Sequence, residues 1–91
     1  MTYAEEIVGY RDEINRLNEE ILARLTDRVA VAKAIAEVKR RHGKPIKDKA
    51  RERAVLDQVR AQALTYGLNP DGVEKTFRAI IDLCIEAEEK Q

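Results

Sequence analysis

The sequence predicts an all-α fold with three helices per chain, one long and two shorter, assembled as an intertwined homodimeric helical bundle. Three observations predict it. Apolar residues recur at helical spacing in three segments. Apart from Gly9, the strong breakers cluster at only two places, Gly43 and Pro45 in HGKPIKD, and Gly67, Pro70 and Gly72 in YGLNPDG. The first segment is also far longer than a globule of 91 residues is wide.

The first helix is expected over about residues 4–42. Tyr3, Ile7, Tyr10, Ile14, Leu17 and Ile21 alternate spacings of four and three, and Leu25, Ala32, Ile35 and Ala36 continue the stripe. Gly9 costs about 1 kcal/mol relative to Ala and is outvoted. The second helix, about 48–66, begins at Asp48, a good N-cap type, and carries Val55, Leu56, Val59 and Ala63. The third, about 70–89, begins at Asn69-Pro70, an N-cap followed by proline at the first helical position. It carries Val73, Phe77, Ile80, Ile81, Cys84 and Ala87. The whole chain, 1–91, reads as a single domain.

A helix of that first length spans roughly 58 Å at about 1.5 Å per residue. A compact domain of this size has a radius of gyration near ~12 Å, hence a diameter of about 31 Å. Two shorter helices cannot cover so long a stripe, so a second copy is expected to cover it. The alternative is a helix that kinks near Thr26-Asp27 and folds back, but no Pro or Gly breaks that region.

Composition narrows the function. Apolar residues make up 44%, aromatics 4% and charged residues 37%, so the core must be aliphatic. Seventeen Lys and Arg balance seventeen Asp and Glu. A zero balance argues against a general nucleic-acid binder and against a polybasic membrane anchor. One cysteine, Cys84, and one histidine, His42, argue against a disulfide framework and a structural metal site. The first residues read as no secretory signal and no stretch has the length of a membrane span, so the expected setting is cytoplasmic, with no membrane partner.

Helical-wheel arithmetic at about 100° per residue puts Arg28 and Lys39 in the middle of the apolar stripe and Arg11 at its edge. Inward cations are costly unless paired. The ordinary alternative is that their stems line the core and their heads reach water. On the third helix the same arithmetic puts Glu88 on the face of Phe77, Ile81 and Cys84, although a residue so near a helix end often lies in solvent. Arg51 and Glu52 sit in the first turn of the second helix. Together Arg28, Lys39, Arg11 and Arg51 imply a positive cavity that suits a small anion with more than one carboxylate. No Gly-rich phosphate loop and no Ser/His/Asp set is visible, and Cys84, which has no His partner, reads as a small buried residue. Such a site works by binding and electrostatics, with no cofactor and no metal.

These residues resemble the all-helical, AroQ-type chorismate mutases. The resemblance covers essentially the whole length and rests on an ordered set: Arg11 in YRDEINRLNEEIL, Arg28 in LTDRVAVAKAIAEVK, Lys39 closing that segment, and Asp48, Arg51 and Glu52 in KPIKDKARER, with Pro45 and Glu88. It implies conversion of chorismate to prephenate, a Claisen rearrangement on the route to Phe and Tyr, in a dimer whose site borrows Arg11 from the partner subunit. By resemblance, Arg11, Arg28 and Arg51 clamp two carboxylates. Lys39 and Glu88 donate to the ether oxygen. Glu52, helped by Asp48, holds the ring hydroxyl, and Ile35 and Ile81 are apolar walls. Cys84 stands where some relatives have Ser. Glu88, where many have Gln, must be protonated to donate. Two other readings compete. An isochorismate pyruvate-lyase has a similar fold and cationic site. A non-catalytic helical dimerisation module explains the long helix but not Arg28 and Lys39.

Overall fold

The computed structural model describes residues 1–90. Three helices are present, α1 (Tyr3–Arg41), α2 (Lys49–Thr65) and α3 (Pro70–Glu89), with no strand among the described residues. Each boundary has a local cause. Thr2 caps α1 in a reciprocal box: its Oγ1 accepts from the Glu5 backbone N–H at 3.2 Å, and Glu5 Oε1 accepts from the Thr2 backbone N–H at 3.2 Å. Asp48 caps α2 by accepting from the Arg51 N–H at 3.0 Å. Asn69 caps α3 by accepting from the Asp71 N–H at 2.9 Å.

Helices α1 and α2 end the same way. The chain turns through Gly43 (φ 65°) and Gly67 (φ 68°), a backbone region that side chains disfavour. Lys44 N–H then donates to Lys39 C=O at 2.8 Å, and Leu68 N–H to Ala63 C=O at 2.9 Å. These paired glycine turns set where each helix stops and the direction the next one takes.

Helix α3 packs against both α1 and α2, whereas α1 and α2 make no close backbone approach to one another. The core is small and aliphatic: Ala32 and Ala36 from α1, Leu56, Val59 and Ala63 from α2, Ile81 and Cys84 from α3. Two alanines one turn apart on α1 let α3 approach closely. Ion pairs fasten the outer edge of α2 to α3: Arg53 reaches Glu74, and Arg60 reaches Asp71 and Glu74.

Helix α1 runs unbroken through Thr26-Asp27 and does not fold back. The chain measures 62 × 27 × 16 Å with a radius of gyration of 17.2 Å, well above the ~12 Å of a compact domain of this length. Its N-terminal half extends past α2 and α3 and leaves Tyr3, Tyr10, Ile14 and Ile21 open to water, Ile14 and Ile21 each 56% exposed. No helix of the described residues is long and apolar enough to cross a membrane.

Leu56, 2% exposed, is the largest side chain wholly enclosed by the core. Leu56→Ala is expected to destabilise the fold by about 3 kcal/mol, the cost of lost burial plus an unfilled cavity. Urea unfolding at fixed chain concentration measures it; a loss below about 1 kcal/mol would show that this packing is not the core.

Candidate active site

A cavity of about 390 Å³ opens where α1 and α2 diverge across α3. Helix α1 contributes Arg28, Val31, Ala32, Ile35 and Lys39. The start of α2 contributes Asp48, Arg51, Glu52 and Val55. Helix α3 contributes Ile81, Cys84, Ile85 and Glu88. Arg28, Ile35 and Lys39 line it because spacings of seven and four residues return to one helix face. Ile81, Cys84 and Glu88 do so at spacings of three and four. A larger groove of about 520 Å³ beside Tyr66 and Phe77 has no charged side chain in its lining and offers an anion no cation.

Arg28 and Lys39 are half-buried and turned to the cavity, as their wheel positions require. Arg28 Nη1 donates to Cys84 Sγ at 3.0 Å, which ties the guanidinium to α3. Lys39 Nζ donates to the Ile46 C=O at 2.7 Å. That bond uses one of three ammonium protons and aims the other two. Asp48 is engaged as the cap of α2, and Arg51 lies at the exposed rim. Glu52 Oε1 accepts from Arg78 Nη1 at 2.7 Å.

Glu88 is 8% exposed, and its Oε2 has no hydrogen-bond partner. Burial pushes this carboxyl above its ordinary value of 4.5, against Lys39 and Arg28, which pull it down; nearby Glu89 adds a small push upward. A buried carboxyl without a partner either donates to something placed in the cavity or stays unsatisfied.

The arrangement brings together every residue singled out from the sequence except Arg11. Arg11 is exposed on the projecting half of α1, and 17 residues of helix place it about 25 Å from Arg28 along the axis. It does not line this cavity. Sequence reasoning missed Val31, Ile85 and Arg78. Ile85 is four residues after Ile81, a spacing that could have revealed it. Arg78 has its partner on another helix, so no pattern within α3 signals it. Among the described residues, no cluster of three or more His, Cys, Asp or Glu is placed to hold a metal.

The sequence profile of the family described as chorismate mutase type II matches residues 10–89, and the chain belongs to that family. It is 35% identical to a bifunctional chorismate mutase/prephenate dehydratase of Aquifex aeolicus over 94% of this chain and 25% of that protein. It is 32% identical to a T-protein of Enterobacter agglomerans over 84% of this chain and 20% of that protein. A chorismate mutase of Methanocaldococcus jannaschii is 28% identical over 86% of this chain and 79% of its own length. The chain therefore spans about a quarter of the first relative and a fifth of the second.

The raised Glu88 pKa links folding to pH. A carboxyl that holds its proton more tightly when folded contributes full stability below its unfolded value and loses that contribution as pH rises through the folded value. Wild type is expected to lose stability relative to Glu88→Gln as pH climbs from 4.5 through the raised pKa. Thermal unfolding of both proteins across this range tests it; parallel curves would show that the carboxyl is not buried in solution.

Proposed function

We propose that this type II chorismate mutase family member rearranges chorismate to prephenate, on the route to phenylalanine and tyrosine, by orientation and electrostatics alone. The observation that carries this reading is the convergence of Arg28, Lys39 and Arg51 on one interhelical cavity beside the buried, unpartnered Glu88. An apolar bundle has no reason to turn cations inward. A dicarboxylate gives them one.

In this reading Arg28 and Arg51 hold the two carboxylates with Arg11 of the partner subunit. The reacting conformer is compact and rare in water, so clamping both ends supplies most of the orientation. As the C–O bond breaks ahead of C–C formation, negative charge grows on the ether oxygen. Lys39, aimed by its bond to the Ile46 carbonyl, and protonated Glu88 donate to that oxygen. They stabilise the transition state more than the ground state. The free oxygen of Glu52 accepts the ring hydroxyl, while Asp48 orients the start of α2. Ile35 and Ile81 form the walls against the ring, and Cys84 keeps Arg28 in place. No cofactor or metal is needed for these steps.

Arg11 supports the homodimer. Its own cavity is about 25 Å away, beyond any side chain's reach. An antiparallel pairing of two α1 helices about a two-fold axis near residues 19–20 sets the partner subunit's Arg11 at the level of Arg28. The same pairing covers the exposed Tyr3, Tyr10, Ile14 and Ile21. We assign the enzyme to the cytoplasm, which the unpaired Cys84 thiol fits.

Purified protein is expected to deplete chorismate and yield prephenate, and to leave isochorismate without release of pyruvate. Arg28→Ala should lower kcat/KM by at least about 100-fold. No turnover of chorismate by either protein, with Arg28→Ala as stable as wild type or more so, would instead favour a dimerisation module, and salicylate formation would favour the lyase. Sedimentation equilibrium should give twice the 10.4 kDa chain mass; a monomer with full activity would end the shared-site proposal. Turnover should also fall as pH rises through the Glu88 pKa, with Arg28, Lys39 and Glu89 as the facing charges. Glu88→Gln should flatten that fall. A wild-type profile level over about pH 5–9 contradicts the donor role.

A further inference from the structure

Counted formally, the cavity is a poor receptor for a dianion. Arg28, Lys39 and Arg51 face Asp48, Glu52 and Glu88, three charges of each sign. A carboxylate already in the lining competes with an incoming one for the same guanidinium. Each lining acid therefore has to be withdrawn from that competition.

Two are withdrawn by features already described. Asp48 accepts the Arg51 backbone N–H at the positive end of the α2 dipole, which occupies its charge locally. Glu88 is buried, which favours its neutral form. Glu52 has neither protection. It is the residue next to Arg51, its side chain is only 16% exposed, and it lines the cavity. Its counterion is Arg78, which reaches from α3 to within 2.7 Å of Oε1 and is not itself part of the lining. Arg78 is in turn flanked by Asp82 at 3.7 Å, four residues on along α3.

We infer that Arg78 is a positioning residue for the substrate site: it holds Glu52 from behind, so that Arg28 and Arg51 stay available to two carboxylates and the second Glu52 oxygen is left to accept a hydroxyl. The inference rests on the function proposed above and identifies what gives the cavity its usable positive charge. With Asp48 and Glu52 each engaged, and burial disfavouring the charged form of Glu88, the three lining cations outweigh the acids that can still compete. Without Arg78, Glu52 is free to fold onto Arg51. The contribution of Arg78 is to binding of the dianion in ground state and transition state alike, so it appears in KM.

The test uses Arg78→Gln, Arg78→Lys and Glu52→Gln, alone and combined, in the full dimeric chain. Arg78→Gln is expected to raise KM for chorismate about tenfold with kcat changed less than about threefold. Arg78→Lys, which keeps the charge, should recover most of the loss. In a Glu52→Gln background there is no charge to withdraw, so Arg78→Gln should have almost no further effect on KM. An unchanged KM in Arg78→Gln overturns the inference. So does an equal loss with and without Glu52, because a merely structural role does not depend on the Glu52 charge. Calorimetric titration with isophthalate, a rigid dicarboxylate, separates this outcome from failure of the functional reading. If wild type leaves chorismate unchanged, the proposed reaction is wrong. Tighter isophthalate binding by wild type than by Arg78→Gln then still upholds the role of Arg78, and equal or undetectable binding refutes it.

Discussion

Helix α3 packs against both of the other helices, and α1 and α2 make no close backbone approach to each other. The rest of the structure depends on this. Ala32 and Ala36 let α3 lie close along α1, and Leu56, Val59 and Ala63 seat α2 on its other side. What remains between α1 and α2 is a gap floored by Ile81, Cys84 and Glu88. The Gly43 turn and the Asp48 cap bring the first turn of α2 to the rim of that gap, opposite Lys39. Cations that would be intolerable in a closed core are acceptable here, because the gap is wide enough for a solvated or ligand-bound charge.

The same packing leaves half of α1 without a neighbour. A 39-residue helix cannot be covered by helices of 17 and 20 residues. The uncovered half carries the exposed Tyr3, Tyr10, Ile14 and Ile21 together with Arg11, and in the proposed dimer a second copy meets both. Assembly and site completion are therefore one event in the proposed enzyme. Neither is separable from the length of α1.

Charge is distributed by the same logic. The chain balances seventeen cations and seventeen acids, yet residues 39–51 hold seven cations and one acid. That run includes Lys39 and Arg51 of the lining, so this stretch of the chain is locally cationic although the molecule carries no net charge. The acids inside are handled one at a time, by a helix cap, by an ion pair from behind, and by burial. In the proposed site, a dianion is accommodated less by added positive charge than by removal of negative competitors from the cavity surface.

Much of this was legible in the chain alone. Period and breakers gave the three helices, because the side-chain phase of a helix is fixed by its geometry and its ends by capping chemistry. The same phase turned Arg28 and Lys39 inward and put Glu88 on the face of Cys84. Helix length against globule diameter predicted that α1 outruns the other two helices, as its 39 residues and the 62 Å extent of the chain show. What period cannot supply is the identity of neighbours across helices, since it assigns a direction to each side chain and no distance. Only packing brought Arg78 to Glu52, Arg28 to Cys84 and Lys39 to the Ile46 carbonyl. Only packing decided that Glu88, near the end of its helix, is enclosed with an oxygen unpaired, because burial depends on what lies opposite and not on where a residue falls in its own turn.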